Sequence, residues 1–128
     1  MAEEQHPWLN VRLEVDAQGK PEVIRTGKLQ HYKVIFEVEN APPDTYAATF
    51  ELDPTYYDPL RTLQPDDKGG FRLETTTYGD YPLIVRLHRP KTGDLVIKES
   101  VARALRRARK TMPAGPEIDD ALAYIADH

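Results

Sequence analysis

Seven tyrosines are spread through the chain, and four of them cluster in two irregular places. Tyr56 and Tyr57 lie in LDPTYYDP, residues 52–59, and Tyr78 and Tyr81 lie in TYGDY, residues 77–81. A tyrosine ring offers a flat apolar face and a polar tip, so paired rings at turns suit a slot for a flat, weakly polar group. They equally suit a cap over the open end of a β-structure, with the hydroxyls reaching water or backbone. Position alone leaves both readings open.

Other chemistry is sparse. There is no cysteine, and the one serine is Ser100. Of the four histidines, His6 and His128 are near the ends, while His31 and His88 fall on strands or strand ends. No two of them have metal-ligand spacing such as H-x-x-x-H, so each reads as a surface or hydrogen-bonded histidine. Residues 66–70, DDKGG, read as a solvated loop, lacking the alternating acids of a calcium site. The glycine pair there follows no strand and opens no helix, so it is no phosphate cradle. The expectation is a protein that binds, with no catalytic constellation, metal or cofactor.

Strands must position the tyrosines. In WLNVRLEVD, Leu9, Val11, Leu13 and Val15 alternate with polar residues, the period of a half-buried strand. HYKVIFEVE puts Tyr32, Val34, Phe36 and Val38 inward, and TYAATFELD does the same with Tyr46, Ala48, Phe50 and Leu52. PEVIRTG is a weaker candidate, while FRLET, YPLIVRLH and DLVIKE each read as a strand. RPKTGD connects the last two as a hairpin. Residues 53–70 read as irregular, and Pro42-Pro43 cannot continue a strand. Seven or eight short strands in about 100 residues point to an all-β antiparallel sandwich, with an eight-stranded barrel as the alternative.

Helical spacing takes over at residue 100. SVARALRRARK places Val101, Ala104, Leu105 and Ala108 on one face, with Ser100 as N-cap, over residues 100–110. PEIDDALAYIADH follows as a second helix, with Pro116 in its first turn and Ile118, Leu122 and Ile125 as its stripe. Residues 1–99 thus read as the sandwich, and 100–128 as a helical extension packed on the same domain.

The 128 residues carry a formal net charge of −4. Arg103, Arg106, Arg107, Arg109 and Lys110 contribute +5 within one helix, which leaves −9 for the remainder. The basic face reads as solvated or docked on the chain's own acids, and no nucleic-acid partner is expected. No run approaches the ~18 apolar residues of a membrane helix, so no membrane partner is expected either. An acidic start without an apolar segment is unlike a signal peptide, and the lack of cysteine suits a reducing compartment. The expected location is cytoplasmic.

Two motifs, taken together, resemble the YEATS domain family. Ala48-Thr49-Phe50-Glu51-Leu52-Asp53-Pro54-Thr55-Tyr56 matches the family's first loop and the strand before it. Phe71-Arg72-Leu73-Glu74-Thr75-Thr76-Thr77-Tyr78-Gly79-Asp80-Tyr81 matches the second. The likeness covers roughly residues 30–100. It implies an immunoglobulin-like β-sandwich, and in eukaryotic members a reader of acetylated or crotonylated lysine on histone tails. By that resemblance Tyr56 is the aromatic of the first loop, and Thr55 the hydroxyl that bonds the acyl amide. Tyr78 and Tyr81 are the aromatics of the second loop, and the backbone around Gly79 and Asp80 donates to the acyl carbonyl.

That chemistry is coherent in its own terms. An acyl-lysine is neutral and flat at its amide, so it can slide between rings while one hydroxyl and one backbone N–H satisfy the amide. Asp53 stands where histone-reading members carry His, which places a carboxylate at the mouth and favours a cationic or hydroxyl-bearing partner over a neutral acyl chain. Tyr in place of the commoner Trp and Phe makes the site more polar. In these respects the chain resembles the prokaryotic branch, where the sandwich serves as one module of sensing or defence systems. The alternative to an acyl-lysine reader is an interaction or sensor scaffold with no acyl pocket. Oligomeric state is not legible from the residues.

Overall fold

A computed structural model describes residues 6–128. Eight strands form two four-stranded antiparallel sheets, and two helices follow. The first sheet is built on β3 (Leu29–Glu39). One edge of β3 pairs first with β2 (Val23–Thr26) and then with β1 (Trp8–Leu13), which lie end to end as one interrupted strand. Its other edge pairs with β6 (Phe71–Thr77). The second sheet has the order β5 (Leu60–Leu63), β4 (Ala47–Glu51), β7 (Pro82–His88), β8 (Leu95–Ser100). The arrangement is an immunoglobulin-like sandwich with C-terminal helices.

The alternation read from the sequence decides which faces meet. Leu9, Val11 and Leu13 of β1, Tyr32, Val34, Phe36 and Val38 of β3, and Phe71 and Leu73 of β6 are buried on one side. Ala48 and Phe50 of β4 and Leu83, Val85 and Leu87 of β7 face them, and all belong to one apolar cluster. Burying a large apolar side chain contributes about 1.5–3 kcal/mol, so this interdigitated layer is what holds the sheets together.

Three local expectations are corrected. Tyr46 is 56% exposed, because it stands one residue before β4 begins and its ring tilts over His88, with centroids 6.2 Å apart. The stretch read as irregular contains β5, an edge strand that pairs with β4 from Ala48↔Leu63 to Glu51↔Leu60. Being at an edge and exposed at Leu60, it lacks the clean apolar alternation that marks a strand. The first helix, α1, ends at Arg107, and a separate 3₁₀ turn, Arg109–Thr111, follows it.

Helix α1 (Val101–Arg107) packs on β1, and α2 (Pro116–Asp127) packs on α1. Val101, Ala104, Leu105, Ile118, Ala121 and Ile125 are buried in the same cluster as the sheets. Pro116 opens α2, and Glu117 and Asp119 in its first turn complement the helix dipole. Among the described residues, no helix is long and apolar enough to cross a membrane.

Candidate functional site

Two loops from different strands meet at one end of the sandwich. The loop after β4 supplies Asp53, Thr55 and Tyr56, the end of β6 supplies Thr77, and the loop between β6 and β7 supplies Tyr78, Gly79, Asp80 and Tyr81. Together with His128 they line a groove of about 170 Å³. The convergence follows from topology. β4 and β7 are neighbours in one sheet, and β6 delivers its end from the other sheet.

The first loop is held by Asp53. Its Oδ1 accepts from the Thr55 amide at 3.0 Å and from the Thr55 hydroxyl at 2.7 Å. These bonds, that from the hydroxyl first, hold the Asp53 carboxyl below the usual carboxylate range. Because the Thr55 proton is committed to Asp53, the remaining capacity of that hydroxyl is to accept. Tyr56 is anchored by donating from its hydroxyl to the Thr76 carbonyl at 2.6 Å, which ties the first loop to β6.

The second loop is held by Thr77, which is 1% exposed. Its hydroxyl donates to the Gly79 carbonyl at 2.6 Å and accepts from the Gly79 N–H at 3.3 Å. The turn therefore closes on itself. Gly79 is required here by space: a Cβ at this position would sit 2.6 Å from the His128 carbonyl carbon. The end of α2 thus lies directly on the Tyr78-Gly79 turn. His128 is fixed in turn by stacking on Tyr124 at 3.9 Å between centroids, and the Tyr124 hydroxyl accepts from the Gln30 amide at 3.0 Å.

The aromatic residues divide by depth. Tyr81 is 7% exposed and joins the core, with its ring edge-on to Tyr56 at 5.6 Å. Among the described residues its buried hydroxyl makes no hydrogen bond of good geometry, with the Tyr56 hydroxyl its nearest candidate, and burial pushes its pKa, like that of Tyr56, upward. Tyr78 is half-buried and meets His31 edge-on at 5.5 Å. Tyr57 stands wholly in solvent, so the first pair of tyrosines splits between groove and water.

Asp80 lines the same groove, and its carboxylate is occupied by α1. Its Oδ1 accepts from the Ala102 amide at 2.9 Å and from the Ser100 hydroxyl at 2.9 Å. Ser100 accepts from the Arg103 amide, the N-cap bond its position implied. The site and the helix start are therefore one hydrogen-bonded unit. All seven residues singled out in the sequence line the groove. Thr77 and His128 were missed, since a threonine inside a strand and a histidine beyond a helix carry no distinguishing local signal.

A second polar arrangement crosses the outer face of the other sheet. The Thr62 and Thr49 hydroxyls are 2.9 Å apart, Thr49 Oγ1 is 2.7 Å from His88 Nε2, and His88 Nδ1 is 3.1 Å from Asp94 Oδ2. The order of groups is that of a hydroxyl–imidazole–carboxylate relay. However, β4 and β7 are both interior strands, so their amides are committed to the ladders and none is free to stabilise an oxyanion beside Thr49. What this row does is fasten β4, β5, β7 and the turn to β8. Among the described residues, no three His, Asp or Glu side chains converge as metal ligands would.

No family model and no curated protein matches the chain. Solved structures do. The crystal structure of the yeast AF-9 homolog protein Yaf9 superposes with a TM-score of 0.54 at 15% identity, covering 77% of this chain and 67% of that one. The Yaf9 YEATS domain bound to H3K27ac gives 0.49 at 12% identity, covering 79% and 76%. The same domain recognizing the H3K122suc peptide also gives 0.49 at 12%, covering 91% and 80%. The fold of this chain is YEATS-like.

Proposed function

We propose that the chain is a non-enzymatic binding module that takes an acylated lysine, or a related amide-bearing peptide, in the groove between residues 53–56 and 77–81. The observation that carries this reading is the state of Thr55. Its proton is held by Asp53, so the hydroxyl oxygen meets the groove as an acceptor. A group that brings an N–H is its complement, and the amide of an acyl-lysine does so. Tyr78 and Tyr56 both contribute aromatic surface to the groove lining.

Asp53 sharpens the expected ligand. It is ionised at neutral pH, so among acylated lysines a chain ending in a carboxylate is disfavoured and one bearing a hydroxyl suits the mouth best. NMR titration with acetyl-, crotonyl-, succinyl- and unmodified lysine peptides tests the reading. The expected result is shifts at Thr55, Tyr56, Tyr78 and Gly79 with the neutral acyl peptides only. Equal response to unmodified lysine would sink it.

A second reading is favoured by the seat of His128 on Gly79. In it this end of the sandwich is closed by α2, and the chain is an interaction or sensor scaffold without an acyl pocket. The same titration decides, since a closed end leaves every acylated peptide without effect at these residues.

A further inference from the structure

A surface groove lies where the edge of β1 meets α1, away from the loops already described. Its lining is Trp8, Asn10, Arg107, Ala108 and Thr111, mostly apolar surface, and its volume is about 370 Å³. Trp8 is the chain's one tryptophan and is 46% exposed. The alternation of β1 explains why: Leu9, Val11 and Leu13 point into the core, so Trp8 must point out. Arg107 lies across its ring, with the guanidinium carbon 5.6 Å from the centroid. That guanidinium also donates to the Leu9 carbonyl at 2.6 Å and to Glu99 at 3.0 Å. The wall of the groove is therefore built and rigid, and the small side chain of Ala108 leaves its floor open.

The charges around it are one-sided. Arg103 precedes Arg107 by one helical turn on the same stripe, and Arg103, Arg106 and Lys110 are all exposed. None of these three makes an ion pair among the described residues, whereas Arg107 and Arg109 are paired with Glu99 and Asp119. On the strand side, Glu39 stands opposite Trp8 in the ladder, and Glu37 is neutralised by Arg12. The rest of the chain sums to −9. An acidic partner is therefore repelled by most of the surface and attracted at one place, with its carboxylates turned toward α1 and away from Glu39.

We infer that the Trp8–Ala108–Thr111 groove docks an acidic peptide segment of a partner protein, seating one large apolar side chain against Trp8 while its carboxylates meet Arg103, Arg106 and Lys110. Aromatic anchors flanked by charge are the usual carriers of binding energy at such surfaces. The inference is independent of the acyl-lysine reading, since no residue is shared between the two grooves.

Trp8 supplies its own reporter. Titration of the full chain with an Asp/Glu-rich peptide bearing one central Phe is expected to change its intrinsic fluorescence, more weakly as salt rises. Replacing the Phe of the peptide by Ser, or making R103E/R106E in the protein, is expected to weaken binding about tenfold or more. R103E is safe for the fold: it creates the Ser-x-x-Glu capping pattern with Ser100 and puts an acid in the first turn. W8A, followed by peptide NMR instead of fluorescence, is expected to abolish the site. Undiminished binding to R103E/R106E, indifference to the Phe, or shifts confined to residues 53–56 and 77–81 would each overturn the inference. So would equal competition by duplex DNA, which would mark the patch as a generic polyanion surface.

Discussion

The Thr55 hydroxyl donates to Asp53 Oδ1 at 2.7 Å, and the Thr55 amide donates to the same oxygen at 3.0 Å. One carboxylate oxygen thereby sets both the shape of the first loop and the direction of the Thr55 proton. The sign of its pH dependence follows. The folded carboxyl titrates below its unfolded value, so its contribution is fully present above the ordinary carboxylate range. It is lost as the pH falls through the lowered folded value. The Thr55 amide resonance is expected to hold steady from neutral pH down to that range and move only below it, while D53N abolishes the transition. D53A is expected to cost about 1 kcal/mol of acyl-peptide affinity.

Tyr78 and Tyr81 sit three residues apart and are expected to respond in opposite ways. Tyr78→Ala, at a half-buried groove position, is expected to cost about 1–3 kcal/mol of ligand affinity and much less stability. Tyr81→Ala removes a core ring and is expected to cost about 3 kcal/mol or more in urea unfolding. If Tyr78→Ala matches that loss, Tyr78 is a core plug and the reader hypothesis loses its support.

The Tyr81 hydroxyl gives a cleaner test of burial. Among the described residues it makes no hydrogen bond of good geometry, and it is shielded from water. Removing an unsatisfied buried group is neutral or favourable, so Tyr81→Phe is expected to leave stability unchanged or raise it by about 1 kcal/mol. A loss of about that size would show that the hydroxyl has a partner in solution.

Asp80 and Ser100 start α1 jointly. Ser100→Ala and Asp80→Ala are each expected to cost about 1 kcal/mol, as lost caps do. Because Ser100 donates to Asp80, the double variant should cost less than the two singles together. Strict additivity in chemical denaturation would mean that the two act separately.

Gly79→Ala forces a Cβ to within 2.6 Å of the His128 carbonyl carbon. Backbone at that distance cannot be moved cheaply, so the end of α2 is expected to lift, with faster amide exchange over residues 124–127. Deleting His128 in the same background should restore stability. Unchanged exchange would mean that α2 does not rest on the turn.

The sequence by itself determined the layers. Leu9, Val11 and Leu13, or Val34, Phe36 and Val38, can face a common core only if those segments are strands, because the side-chain period of a strand is two. It likewise determined the Ser100 cap and the Pro116 start, which depend on neighbours a few residues away. The two loop motifs were legible as sequence patterns, and the seven residues they singled out are among those lining one groove, though what the groove binds is not decided by that placement. What only the tertiary structure decided is how deep each residue sits and what it touches. Tyr46 and Tyr81 look alike beside a strand, yet one lies in water and the other in the core. β5 was invisible because an edge strand draws its stability from the ladder to β4 more than from apolar side chains. Asp80 bonds a helix that begins twenty residues later, and His128 lands on a turn nearly fifty residues before it in the chain. Contacts at such separations are set by the closing of the sandwich and the docking of α1 and α2, and local residue patterns do not encode them.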